Sequence, residues 1–295
     1  MRLRTMAKPA VLALAAALAL TACGSDDDTG GEATETSTEA TEATESEMTE
    51  SEMTEGTEGS TEAGGEMSTI TEGTLTVCSD IPYAPFEFEE GGEITGFDIE
   101  IMQAIADELG LELEVNAIGF DPIQSGTALN SEQCDVAASA MTITEEREEN
   151  LDFSDPYYDA KQSLLTAEDS GISTIEDLSG VAVGVQSATT GETYARENAP
   201  DDAEITAFEN PGDLLTALQA NQVDAVLQDL PVNAEFARNN EGFAVVEEYD
   251  TGEQYGFAVA EEGSDALLAN LNDALQAVRD SGTYDEVYDK YFAAE

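Results

Sequence analysis

One arginine sits among four glutamates and an aspartate in the stretch SAMTITEEREENLDFS, Ser139 to Ser154. The whole chain of 295 residues has 65 acidic side chains, nine basic ones and no histidine, so a retained cation needs a reason. The guanidinium of Arg147 is a planar fork that can hold a carboxylate through two parallel hydrogen bonds. It can equally make a helix-surface ion pair with Glu148 or another neighbour, which is common and contributes little. The residues alone leave both uses open. Other chemistry is scarce. No histidine can serve as a general base, and the three cysteines (Cys23, Cys78 and Cys134) have neither a histidine partner nor metal-ligand spacing. No cofactor and no metal are expected.

These residues must be positioned by alternating strands and helices. TLTVCSD, from Thr74, reads as a short strand, and GFDIEIMQAIADELG places Ile99, Met102, Ile105, Ala106 and Leu109 on one helical face with Gly110 just past its end. LELEVNAI alternates as a strand, and DVAASAM is a buried one. A second set follows: VAVGVQ, AEITAF and VDAVLQD as strands, with helices opening at TTGETYAREN, PGDLLTALQAN and PVNAEFARN, the last with Pro231 in its first turn. GFAVVEE and EQYGFAVA read as two further strands. Two closing helices are expected to be capped by Ser264 and Thr283. The pattern is that of parallel α/β sheets, and two sets in about 220 residues suggest two lobes. Ligands of such sheets sit beyond the carboxyl ends of the strands. Those ends here are Ser79-Asp80, Ser139 to Thr142, Gln186-Ser187 and Gln228-Asp229, all small or polar after apolar runs.

Two segments precede this folded part. Residues 1–22 begin with Arg2, Arg4 and Lys8 and continue with an apolar run from Pro9 to Leu20, too short to span a bilayer comfortably. It ends in LTAC, which resembles a bacterial lipobox, so Cys23 is expected to be lipidated and to anchor the chain to a membrane surface. A signal peptide with an incidental cysteine is the plainer reading. Residues 24–72 are nearly all Thr, Glu, Ser, Gly and Ala, with 16 acids and no base. Such a segment cannot offset its ordering entropy and is expected to be a disordered tether spanning roughly 40 Å or more. A glycosylated stalk or an acidic interaction tail are the other readings.

From residue 73 onward 49 acids face six bases, a net charge of −43. Nucleic acid is excluded as a partner on electrostatic grounds. Self-repulsion this strong is screened at high salt, where the Debye length falls to about 3 Å, so a saline environment is one expectation, and an acidic-biased genome the other.

The segments SDIPYAPFEF, GFDIEIMQAIADELG, MTITEERE, LDFSDPYY, DLSGVAVGVQSATTGE, VDAVLQDLPV, YGFAVAEEGSDALLANLNDAL and GTYDEVYDKYF, in this order over 73–292, resemble the polar amino-acid family of extracellular solute-binding proteins. These are receptors of ABC importers, related to glutamine- and lysine/arginine/ornithine-binding proteins. The resemblance implies a two-lobed periplasmic-binding-protein-like α/β fold of type II, with two hinge strands and an interlobe cleft. Lobe 1 would comprise 73–159 and 255–295, and lobe 2 160–254, with crossings near Tyr158 to Ala160 and Glu253 to Tyr255.

The resemblance also implies roles. Arg147 would hold the ligand α-carboxylate, aided by the backbone N–H and hydroxyl of Thr142 and by Thr190 at a helix N-terminus, a position that favours anions in any case. Asp229 would bind the α-ammonium, although Asp also suits an N-cap before Pro231, and Ala140 would add its carbonyl. Tyr83 and Phe120 would sandwich the ligand side chain, a role that core packing competes with. Asp80, Ser139, Gln186 and Gln228 would read its tip. Glutamine binders carry a lysine and a histidine where this chain has Gln186 and Gln228, so the pocket has an acid, a hydroxyl and amides but no second cation. An acidic side chain is disfavoured there, and a basic or amide one is favoured.

The expected function is therefore that of a monomeric binding protein and not an enzyme: it captures an L-amino acid outside the cell and delivers it to an ABC permease and ATPase. A ligand sensor, or less favourably a secreted dehydratase on the same fold, are the alternatives. If the strands of Cys78 and Cys134 are parallel neighbours with Asp80 and Thr142 both at the rim, the cysteines are several residues out of step. At about 3.3 Å per residue that exceeds the roughly 7 Å Cα limit for a disulfide, so two reduced thiols are expected.

Overall fold

A computed structural model describes residues 67–293. The expected signal peptide (1–22), the lipidation site Cys23 and the tether up to residue 66 lie outside the described residues. Among the described residues no helix is long and apolar enough to cross a membrane. The chain is already held before residue 73: the Ile70 amide donates to Asp135 Oδ1 at 2.7 Å, and Met67 packs on the core.

In chain order the elements are β1 (Thr74–Ser79), β2 (Phe88–Glu90), β3 (Glu93–Thr95), α1 (Phe97–Leu109), β4 (Glu112–Ala117), the short helices α2 (Phe120–Gln124) and α3 (Thr127–Asn130), β5 (Val136–Ala137), β6 (Leu151–Phe153) and β7 (Tyr158–Ala167). Then come β8 (Ala182–Gln186), α4 (Thr190–Asn198), β9 (Glu204–Phe208), α5 (Pro211–Gln219), β10 (Ala225–Asp229), α6 (Leu230–Asn239), β11 (Phe243–Tyr255), β12 (Ala258–Ala260), α7 (Asp265–Asp280) and α8 (Thr283–Phe292).

Two five-stranded sheets result. The first runs β4-β1-β5-β12-β6 and the second β11-β7-β10-β8-β9. Both are mixed rather than purely parallel. β1 is parallel to β4 and β5, but β12 runs antiparallel to β5 and β6. In the second sheet β8 is parallel to β9 and β10, while β7 runs antiparallel to β10 and β11. The antiparallel pairing of β7 with β11 follows from topology: one strand carries the chain into the second lobe and the other carries it back. β11 is one continuous strand with two register shifts rather than the two strands its sequence suggested, and it stops at Gly256 before β12.

Each sheet is covered on both faces. Phe97, Ile101, Met102 and Ile105 of α1 join Leu271 and Leu275 of α7 and Val287 of α8 on one face of the first sheet. Burying each such large aliphatic side chain contributes roughly 1.5–3 kcal/mol. α1 can start only because residue 96 is glycine: its φ is 129°, and a Cβ there would lie 2.1 Å from the Phe86 carbonyl oxygen. α8 starts at Thr283 itself, with Gly282 as its N-cap, and Ser264 makes no side-chain cap bond to α7, so neither expected cap forms.

The opposite face of the first sheet holds Phe120, Ile123, Leu129 and a disulfide between Cys78 and Cys134, with Cα atoms 5.6 Å apart. This corrects the expectation of two thiols. The offset argument assumed extended chain back to residue 134, but β5 is only two residues long. Cys134 lies before it, in the turn after α3, and the chain bends there to bring its sulfur under Cys78.

Candidate functional site

The carboxyl ends of β1, β5, β8 and β10 converge on a small cavity, with about 20 Å³ of water-accessible space, lined by Asp80, Tyr83, Phe120, Ser139, Ala140, Thr142, Arg147, Gln186, Thr189, Thr190 and Asp229. That is room for about one water molecule, well below the roughly 300–1,000 Å³ of an open ligand site, so the lining must part to admit an amino acid. A larger surface groove beside Cys134, Asp135 and Glu262 has no cation among the described residues that line it.

Arg147 opens a single 3-10 turn, Arg147–Glu149, not a full helix. Its amide donates to Thr144 Oγ1 at 3.3 Å, and Glu146 stands at the N-cap without a side-chain bond. The guanidinium is buried, 5% exposed. Nη1 donates to the Thr142 carbonyl at 2.7 Å and Nη2 to the Ala188 carbonyl at 3.3 Å, while the Phe120 ring lies 5.2 Å from its carbon. Among the described residues no carboxylate lies within 4 Å of it, so the surface ion pair with Glu148 does not form. Burial lowers its pKa to about 10, against the opposing pull of Asp229 and Glu253, and it stays charged at neutral pH. A desolvated cation with only carbonyl partners is costly unless an anion completes it. Thr190 begins α4, and Thr189 caps that helix by accepting from the Glu192 amide at 3.1 Å. α4 comes this close because residue 191 is glycine: a Cβ there would meet Gln162 Oε1 at 3.0 Å and Gln228 Cα at 3.3 Å.

Asp229 closes another side of the cavity. Its Oδ2 accepts from Tyr83 Oη at 2.7 Å and Tyr255 Oη at 2.5 Å, and its Oδ1 from Gln162 Nε2 at 2.5 Å. It stands at the N-cap position of α6 yet makes no side-chain cap bond, so capping is not its use. Burial, with a contribution from Glu253, pushes its pKa up to about 6, while its three donors oppose the rise. Ala140, at φ 45°, turns its N–H to Asp98 Oδ2 at 2.8 Å.

The third side is Asp80, whose Oδ2 accepts from Gln186 Nε2 at 2.6 Å. Burial raises its pKa to about 6, and the Gln186 bond works against that. Its amide donates to Ser139 Oγ at 3.0 Å, and Ser139 donates in turn to the buried Glu87 at 2.8 Å.

Ten of the eleven expected residues thus line one cavity, and Gln228 does not. Side chains alternate along β10, so with Asp229 facing the cavity Gln228 faces into the second lobe, where it donates to Asn233 Oδ1 at 2.8 Å. Four polar neighbours were not anticipated: Thr189, Gln162, Tyr255 and Glu253. Gln162 opens a buried run of β7, whereas Tyr255 ends β11 after residues that are exposed or half-buried, so the sequence marks neither.

The family model of bacterial extracellular solute-binding proteins, family 3, matches residues 75–294. A probable histidine-binding protein of Neisseria gonorrhoeae is 35% identical over 226 residues, 74% of this chain and 83% of that protein. The arginine-binding extracellular protein ArtP of Bacillus subtilis (strain 168) is 33% identical over 241 residues, 80% of this chain and 92% of its own. Among solved structures, the arginine-, lysine-, histidine-binding protein ArtJ of Geobacillus stearothermophilus superposes with a TM-score of 0.69 at 35% identity, covering 75% of this chain and 96% of that one.

Proposed function

The chain belongs to family 3 of the bacterial extracellular solute-binding proteins, and on that premise we propose that it captures an L-amino acid with a basic or amide side chain and delivers it to an ABC permease. The observation that carries this is the charge layout of one small cavity. A buried arginine with no carboxylate within 4 Å among the described residues stands on one side, and Asp229, held by three donors, on another. Asp80 faces the third. An α-carboxylate completes Arg147, an α-ammonium completes Asp229, and a cationic or amide tip meets Asp80. A carboxylate tip would meet Asp80 with no cation to offset it. The similar proteins are named for binding histidine, arginine and lysine, which agrees with that layout, and they are named as binding proteins rather than enzymes.

Binding closes lobe 2 (160–254) on lobe 1 (73–159 and 255–295) about the crossing strands, and the closed shape is what a permease recognises. The protein acts as a monomer, held at the outer membrane face by lipid on Cys23 and an acidic tether that ends by residue 66, since Met67 and Ile70 already bind the folded part. The test is a dye-based thermal shift on the full chain, which has no tryptophan to follow. L-arginine, L-lysine, L-histidine, L-glutamine and L-glutamate are compared. A ligand at a hundred times its Kd adds about 2.7 kcal/mol. A shift with one of the first four and none with L-glutamate supports the assignment; no shift with any amino acid sinks it.

A further inference from the structure

We propose that Glu253 is a latch of the closed cleft, an internal carboxylate that joins the two lobes in place of any ligand atom. Glu253 lies on β11, at the second register shift, opposite Ala160 of β7. Its Oε2 accepts from Thr142 Oγ1 and from Thr190 Oγ1, each at 2.8 Å. Thr142 follows the end of β5 in lobe 1 and Thr190 opens α4 in lobe 2, and their hydroxyls stand 3.5 Å apart. Gln162 Nε2 bonds both Glu253 oxygens, at 3.3 and 3.2 Å, and also Asp229 Oδ1. One carboxylate therefore ties both lobes and the ammonium site together.

A hydroxyl has one proton to donate. With both threonine protons directed at Glu253, neither hydroxyl can donate to a ligand carboxylate, which is left to Arg147 and to backbone N–H groups. Glu253 thus fixes which donors the ligand meets, and it stabilises the closed form before any ligand arrives. A closed state populated in advance raises apparent affinity by the competent fraction it supplies. Glu253 is a positioning residue that need not touch the ligand. The part of this that concerns affinity rests on the amino-acid-binding reading; the closure itself does not.

The test uses the full chain with Cys23→Ser and spin labels on cysteines placed at the exposed positions Asp121 (α2, lobe 1) and Glu197 (α4, lobe 2), Cys78 and Cys134 being joined. Interlobe distances are measured without ligand and with L-arginine. The wild-type residue at 253 gives a short-distance population without ligand. Glu253→Ala depletes it and weakens L-arginine binding about tenfold. Glu253→Gln, which keeps one acceptor oxygen, recovers part of both. A wild type with no closed population, a Glu253→Ala distance profile identical to wild type, or tighter binding in Glu253→Ala each overturns the proposal. If no amino acid binds even the wild type, the reading of the ligand fails, while the ligand-free distances still decide the latch.

Discussion

Replacing Arg147 tests the site at the point where its cost is concentrated. A guanidinium carries five N–H donors. Two are committed to the carbonyls of Thr142 and Ala188, which leaves three for a ligand, enough for a bidentate carboxylate. Hydrogen bonds to charged groups contribute about 1.5–3 kcal/mol each, so two of them amount to about 3–6 kcal/mol, or roughly 10²- to 10⁴-fold in Kd. Arg147→Ala should lose that much affinity for L-arginine by titration calorimetry. The same variant should fold well. It removes a buried cation that has no carboxylate within 4 Å among the described residues, so its Tm without ligand should be equal to or above the wild type. Arg147→Lys supplies a point charge without the fork and should fall between the two. A loss below tenfold in Arg147→Ala, in a protein that still binds, would refute the reasoning that this cation holds the ligand carboxylate.

Acid should weaken binding. Asp80 and Asp229 are both pushed up to about 6 by burial, and a cationic group at each requires the ionised form, so affinity for L-arginine should fall as pH drops below about 6, by up to about a hundredfold per unit with both protonating. Ligand-free stability should move the other way: the folded state holds these protons more tightly than the unfolded chain, whose carboxylates titrate near about 4, so their contribution falls as pH rises from about 4 to 6, and buried Asp98, pushed up to about 7, carries the fall further. Urea titrations at pH 4.5 and 7 check that sign. Asp80→Asn should cost L-arginine and L-lysine about ten- to a hundredfold while leaving L-glutamine within a few-fold, measured by calorimetry; an equal loss for all three would place Asp80 away from the side-chain tip. Replacing both Cys78 and Cys134 by alanine opens a crosslink across 56 residues. It should lower stability by about 4 kcal/mol on the loop-entropy relation, with ligand affinity unchanged because neither cysteine lines the cavity.

Much of the site was legible because it sits at strand ends, and strand ends are marked by apolar runs stopping at a polar residue. Asp80 after LTVCS, Thr142 after the DVAASAM run and Asp229 after VDAVLQ are each visible in that way. Parity is what such marks leave out. Gln228 and Asp229 are adjacent, both polar and both at the end of β10, but only one can face the cavity, and which one depends on how β10 pairs with β7. Gln162 and Glu253 escaped for a different reason: they belong to the crossing strands, whose partners are far away in sequence, so no local pattern signals that their side chains meet. Glu253 in particular looks like one more solvated acid of an acidic surface. The cysteines show a third limit, since a two-residue strand ending in a bend has no periodicity to read, and the extended-chain offset does not apply to it.

The strand order of the first sheet has a consequence for how the protein can be made. β12, residues 258–260, lies between β5 and β6, which are formed from residues 136–153. During synthesis the whole of the second lobe must emerge before this central place is filled. Until then β5 and β6 present unpaired edges, and Leu271, Leu275 and Val287 have not yet covered the face of α1. Open edges and bare apolar faces invite pairing with other chains. The nascent chain therefore passes through a long interval with its second lobe complete and its first half-built, an interval in which those edges stand open to other chains. The disulfide closes within residues 78–134, all of them made early, so it can gather the early half of the lobe while the late half is still missing.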